Sequence, residues 1–369
     1  MSHFAVLVVT PEPPTQEVLE RALAPWHEFE CTGYVDEYVI DVDKTEEARE
    51  AFNVAMELRR GEPNGNRFDD AIPASEATTF AAWASGYYGW PIVTPDASID
   101  REDTHKSGYI CVGADGEVIR CVERTNPDAK WDAWQLGGRY SGRLAPGYDP
   151  ERDPDNMETC ALCAGTGKRC DPFGNAQRAT DPAYTCNGCQ GTGISLKWPT
   201  EWTGEGSTAK WGDLDFAALK ASAVQERRAL VEDMREKARL SADDFDVALY
   251  AFKAAHRVWY EMGEPRPRDA EYDSWLKKQA RGDLAARYAA LDMRHAIDLA
   301  AGQTVEQWIS SAPALSAYAV VIDGQWFARD DIGRGGVSPD EADDWPMRLQ
   351  AILDSIPDDH YVALVDCHV

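Results

Sequence analysis

Two short segments carry the clearest chemistry in this 369-residue chain: Cys160-Ala-Leu-Cys163-Ala-Gly165-Thr-Gly167 and Cys186-Asn-Gly-Cys189-Gln-Gly191-Thr-Gly193. Each reads CxxCxGTG, and 22 residues separate the two pairs. A CxxC spacing lets one tight turn aim two thiolates at the same ion, and two such turns complete a tetrahedral shell. The expectation is one structural Zn2+ held by Cys160, Cys163, Cys186 and Cys189. The glycines after each pair permit positive φ and let backbone N–H groups approach the sulfurs, offsetting the negative charge of four thiolates. Such a shell has no open coordination position, so the metal would shape the loops and catalyse nothing. A redox dithiol, an iron site and disulfides are the alternatives. Cys170, inside the intervening loop, is read as a spectator.

The second unusual stretch is Asn126–Gly142, dense in Trp, Gly and charged groups with neither helical nor strand period. Lys130, Asp132 and Arg139 could line a pocket for a phosphate or carboxylate, with Trp131 or Trp134 stacking on a ring. Tryptophan anchors beside a Gly-Gly turn, fixed by an Asp–Arg pair, would produce the same letters. Gly137-Gly138 is too short for a phosphate loop, and neither GxxxxGK[ST] nor GxGxxG occurs. The terminal Asp366-Cys367-His368 invites a nucleophile–base reading, but adjacent strand residues point to opposite faces. His3 would lie near them if the two terminal strands are neighbours. His256 falls on an apolar helix face, and His27, His105, His295 and His360 are isolated. No HExxH or GxSxG motif is present, so no residue is assigned as catalytic.

Composition bounds these readings. A hydrophobic fraction of 44% with 13 Trp, 14 Tyr and 10 Phe describes a folding chain with material for more than one core. The apolar run Phe4–Val9 is too short and lacks the basic flank of a signal peptide, and no stretch has the length of a membrane helix. Nine cysteines without an export signal point to a reducing, cytoplasmic setting. The net charge is −27, but residues 151–200 hold only 6 acidic against 5 basic side chains. Acidic flanks around a near-neutral cysteine module disfavour nucleic acid, leaving Lys168, Arg169 and Arg178 as its only clustered contacts. The acidity itself reads as solubility, or as mimicry of nucleic acid.

The elements that must position these residues are predicted from periodicity. Strands are expected at Phe4–Val9, Tyr34–Val42, Tyr318–Phe327 and Tyr361–Val369, with a hairpin over Gly108–Glu123 turning at Ala114-Asp115-Gly116. Helices are expected over 15–24, Thr45–Arg59, 214–239, 269–300 and Asp344–Ile356. One more begins at Ser241 with Asp244 and ends at Gly263 and Pro265, its apolar face formed by Phe245, Leu249, Phe252, His256 and Trp259. Thr304 with Gln307 opens a short helix. The predicted class is α+β: a sheet body from residues 1–150 and 315–369, with a zinc module (155–197) and a helical hairpin or bundle (213–310) inserted, two independent α/β domains being the alternative. Residues 145–158 read as a linker.

The CxxCxGxG repeat resembles the cysteine-rich zinc region of the DnaJ/Hsp40 chaperones and of the small anti-TRAP proteins, over about 35 residues. This chain has two repeats rather than DnaJ's four, implying one ion, and it lacks the His-Pro-Asp signature of a J-domain, so co-chaperone activity does not carry over. The Asn126–Gly142 segment, with SHFAVLVV and VDCHV at the two ends, resembles a family of uncharacterised tailed-phage proteins bearing an NPxxKWDW…GGRWxG-like segment. Ala133 and Tyr140 stand where that segment more typically has Trp. The leading expectation is a phage-type accessory protein that binds a host or phage protein without catalysis. The alternative is an enzyme or binding protein for a nucleotide or small anionic metabolite at Lys130–Arg139, and nucleic-acid binding through the zinc loop comes third.

Overall fold

The computed structural model describes residues 3–28, 37–61, 79–261, 283–291, 296–299, 302–328 and 345–369. The fold is α+β. The chain divides into two units, one of residues 1–4, 14–135 and 366–369, the other of residues 5–13 and 136–365. Strand β1 (His3–Thr10) passes through this division.

The first unit contains a four-stranded sheet. Its strands are β2 (Ile40–Asp43), β3 (Ile92–Val93), β4 (Gly108–Val112) and β5 (Val118–Thr125), in the order β2-β5-β4-β3. β4 and β5 form the predicted antiparallel hairpin, closed at its tip by Gly116 N–H donating to the Gly113 carbonyl at 2.9 Å. The helices Thr45–Gly61 and Phe80–Tyr88 cover one face, packing Ala48, Trp83 and Ala84 on Ile110 and Cys121. The expected strand over Tyr34–Val42 is realised at Ile40–Asp43, and residues 29–36 lie outside the described residues.

Strand β6 (Ala133–Leu136) leads into the second unit, which holds β7 (Met157–Thr159), β8 (Ile194–Leu196), β9 (Thr208–Lys210), β10 (Ala319–Ile322), β11 (Gln325–Ala328) and most of β12 (Tyr361–His368). The main sheet runs β11-β10-β1-β12-β6, and β9 also pairs with β12. Val6, Leu7 and Val8 lie in parallel register with Ala319, Val320 and Val321. β1 is apolar at every position from Phe4 to Val9 because it is central and covered on both faces. Ala5, Leu7 and Val9 join Val362 and Leu364 against Trp345, Leu349 and Leu353 of the helix Trp345–Ser355. The alternation along β1 thus assigns one set of side chains to that helix.

The helical region behaves as its periodicity requires for most of its length. The helix Phe216–Ala238 ends at Arg239, and the next, Ala242–Glu261, opens with Ser241 accepting from Asp244 N–H at 3.2 Å. Phe245, Leu249 and Phe252 are buried, and the half-buried His256 stacks on Phe252. The helix stop at Gly263 and Pro265, and the side chain of Trp259, lie outside the described residues. One expectation is corrected: the helix predicted over 269–300 is, among the described residues, helical only at Asp283–Ala289. The reason is geometric. Tyr288 and Ile297 enter the same core, yet nine residues of straight helix would set them on opposite sides. Thr304 and Gln307 form the expected capping box of the short helix Val305–Ser310. No described helix is long and apolar enough to cross a membrane.

Leu7 is 1% exposed in the sheet core, so Leu7→Ala should cost about 2–5 kcal/mol from lost burial plus the residual cavity. Equilibrium urea unfolding of the two proteins measures this as a lowered midpoint.

Candidate metal centre

The cysteine module is closed at its base by a ladder between β7 and β8, with Met157 opposite Leu196 and Thr159 opposite Ile194. From this base the two repeats rise as matched knuckles and lock onto each other. Cys160 N–H donates to Gly193 O at 3.0 Å, and Cys186 N–H donates to Gly167 O at 2.8 Å. Within each knuckle the threonine hydroxyl, of Thr166 or Thr192, donates to the carbonyl of the second cysteine at 2.7 Å. Ala164 (φ 48°) and Gln190 (φ 50°) both take the left-handed conformation just after that cysteine. The last glycine of each GTG sits where backbone crosses backbone. A Cβ on Gly167 would lie 2.3 Å from Gly191 O, and one on Gly193 would lie 2.3 Å from Gly165 O. Only glycine allows that approach.

The result is four buried sulfurs, those of Cys160, Cys163, Cys186 and Cys189, all within 4.8 Å of one another. Across the repeats, Cys160 Sγ lies 3.9 Å from Cys186 Sγ and Cys163 Sγ lies 3.6 Å from Cys189 Sγ. Four thiolates at about 2.3 Å from one tetrahedral ion would stand about 3.8 Å apart, so the cluster has the dimensions of a Cys₄ shell and can hold a metal ion. Burial pushes the Cys160 thiol up to about 11. At Cys189 burial acts in the same sense, but the Gly193 and Gly191 N–H groups and the neighbouring thiols oppose it and bring the group down to about 6. The Gly193 N–H donates to Cys189 Sγ at 3.2 Å. A backbone that stabilises a thiolate here is the second shell a metal-bound sulfur needs.

Cys170 stays outside the shell, exposed, its thiol donating to Lys168 O at 3.2 Å. Sequence periodicity missed the helix Pro172–Thr180 that fills the loop, although Asp171-Pro172 is a cap followed by a proline in the first turn. Asp171 accepts from Gly174 N–H at 2.8 Å and from Arg169 Nε, while Arg178 donates to Arg169 O and to Asn175 Oδ1. Both arginines of the loop therefore hold it in shape.

The Asn126–Gly142 segment works mainly as a fastening in the first unit. Asn126 is buried and donates from Nδ2 to Pro25 O at 2.8 Å and to His27 O at 3.0 Å. Trp131 is buried, its Nε1–H donating to Leu23 O at 3.2 Å. Asp132 accepts at Oδ1 from His368 Nδ1 at 2.5 Å. Trp134 lies half-buried on β6, Lys130 is exposed, and Arg139 is exposed in the second unit. These contacts commit Trp131 and Asp132 to protein partners. The segment also contains a strand that its lack of period concealed: β6 is held beside β12 by bonds from Asp132 N–H to His368 O and from Gly137 N–H to Leu364 O, both 2.9 Å.

Comparison with protein-family models, with curated proteins and with solved structures gives no match.

Two outcomes test these assignments. Gly167→Ala should force the knuckles apart and weaken metal retention at least tenfold, read by competition with a chromophoric chelator, while an exposed change such as Gln177→Ala should not. Asn126→Ala leaves two carbonyls without their donor, so thermal or urea unfolding should show a loss of about 1–3 kcal/mol.

Proposed function

We propose that the protein is a non-catalytic, phage-type accessory protein in which one structural Zn2+ on Cys160, Cys163, Cys186 and Cys189 holds a knuckle that binds a host or phage protein. The observation that carries this reading is the company the buried sulfurs keep. Around them the module exposes Leu162, Phe173, Ile194, Leu196 and Trp198, the last at 76% of its surface. A segment that buries cysteines and exposes its large apolar groups cannot derive its shape from an apolar core. It needs the ion for that, and it offers the apolar side chains to a partner.

Zinc is favoured over other ions because four thiolates in a closed tetrahedral arrangement suit it and give no open position for chemistry. Protein is favoured over nucleic acid as partner because the module is near-neutral between acidic flanks, and because Arg169 and Arg178 are tied into the loop. The resemblances to DnaJ-type zinc regions and to tailed-phage proteins point the same way, towards a protein-contacting knuckle working in a host-cell cytoplasm.

The test is comparative capture from host and phage-infected lysates. The wild-type chain should retain one zinc per chain and recover a defined partner. That partner should be lost both with Cys160→Ser/Cys186→Ser and with Ile194→Ala/Trp198→Ala, the second pair keeping its zinc. A partner indifferent to both pairs, or no partner at all, would overturn the proposal.

A further inference from the structure

The ladder at the base of the cysteine module has only two strands, β7 and β8. Cys160 N–H donates to Gly193 O at 3.0 Å and Lys197 N–H donates to Asn156 O at 2.9 Å. That register turns the main-chain groups of Ser195 inward to β7 and those of Ile194 and Leu196 outward. Most of the outer edge is already occupied. Ile194 N–H donates to Thr192 Oγ1 at 3.3 Å, and Trp198 O accepts from Glu201 N–H at 2.8 Å. The N–H and C=O of Leu196 have no partner among the described residues. On β7 the other edge is blunted, because Met157 N–H folds back onto Pro154 O.

Side chains mark the same edge. Ile194, Leu196 and Trp198 follow one another at a spacing of two, all three exposed, and Trp198 keeps the extended conformation with φ −62° and ψ 144°. Apolar groups of strand period beside an open N–H and C=O pair are what an added strand reads, main chain giving the pairing and alternate side chains the choice. Charge restricts that strand further. Residues 149–158 and 194–205, which frame the ladder, hold seven acidic side chains against two basic, whereas residues 159–193 hold two against three. The two cations of the frame are committed, Arg152 to Asp149 at 3.1 Å and Lys197 to Asp155 O at 2.7 Å. Asp155, Glu158 and Glu201 are exposed.

We propose that β8 is completed by a third strand from the partner, an extended segment whose apolar side chains alternate with Lys or Arg and whose main chain pairs with Leu196. This rests on the reading of the module as a protein-binding knuckle and names the form its partner takes. The apolar side chains of the added strand cover Ile194, Leu196 and Trp198. Those between them emerge on the face of Ser195 and its neighbour across the ladder, Glu158, where a cation meets the acidic frame. A second copy of this chain fits the edge poorly, since it would set two such frames side by side. With one residue offering both main-chain groups, the pairing supplies direction and register, and the apolar and ionic contacts supply most of the affinity.

The probes are end-capped peptides of about seven residues: one alternating valine with lysine, one alternating valine with glutamate, and the valine–lysine peptide N-methylated either at its valines or at its lysines. In NMR titrations of the zinc-loaded full chain, the valine–lysine peptide should shift the Ile194, Leu196 and Trp198 signals and protect the Leu196 amide proton from exchange. Glutamate in place of lysine should weaken binding about tenfold or more. One of the two N-methylated peptides should lose binding and the other keep it, because only alternate residues of an added strand pair with β8. Leu196→Pro removes the outward N–H and spares the ladder, so it should bind about tenfold more weakly than Leu196→Val; if it fails to fold, amide protection in the wild type decides. Absence of binding, equal binding of the glutamate peptide, indifference to both N-methylations, or an unprotected Leu196 amide would each overturn the proposal. The broader reading survives any of these if a captured partner still depends on Ile194 and Trp198, and falls with it if none does.

Discussion

Four sulfur atoms within 4.8 Å of one another are a constraint on everything around them. Protonated, they are weak partners that bury little else; ionised, they repel and require a cation among them. The buried cluster of the module is the four cysteines themselves, while Leu162, Phe173, Ile194 and Leu196 are exposed. The glycines that cross at Gly167–Gly191 and Gly193–Gly165 bring the knuckles close enough for the sulfurs to share one shell. The backbone N–H groups aimed at Cys189 lower the electrostatic cost of doing so. Shape and surface chemistry of the module are thus those that a four-sulfur shell able to hold one metal ion would demand.

A different principle holds the rest of the chain. β1 and β12 are separated by more than 350 residues in sequence, yet both run through the middle of the main sheet, and their side chains from Val6 to Val8 and from Val362 to Val365 are at most 2% exposed. Closing so long a loop is entropically slow to reward but adds only logarithmically to the cost. An apolar run covered on both faces recovers it through burial. Long insertions are tolerable between such strands, and this chain places a cysteine module and a helical cluster there. The same closure delivers His3 to His368.

What could be read from sequence divides along the range of the interactions involved. The cysteine repeats, the Gly108–Glu123 hairpin, the Thr304–Gln307 capping box and the apolar face of Phe245, Leu249 and Phe252 all announce themselves within a few residues, and their geometry follows from local rules. The Pro172–Thr180 helix was equally local but weakly patterned, because it caps a loop and buries little. β6 could not be recognised from its own letters. It is a short strand whose pairing is dictated by β12, far along the chain. The break after Ala289 is likewise set by tertiary demand, with Tyr288 and Ile297 both drawn into one core. Trp131 and Asp132 look the same in sequence whether they line a pocket or fasten a segment. Only the positions of Leu23 O and His368 distinguish the two.

The cysteine shell and the histidine–carboxylate pairs are assembled in opposite ways, and the contrast explains why only one is visible in sequence. The cysteine shell concentrates soft, ionisable donors in a short repeat and surrounds them with backbone dipoles, so its ligands must be close in sequence and flanked by glycine. The His3–Asp366 and His368–Asp132 pairs need only be neighbours in the folded sheet. His3 and Asp366 come from adjacent strands, and Asp132 reaches His368 beside β6. A chain with net charge −27 draws cations towards its surface, but long-range attraction selects no ion. At the cysteines, selection would come from donor softness. In both places it is the fold, through crossed glycines in one and paired strands β1 and β12 in the other, that brings the side chains together.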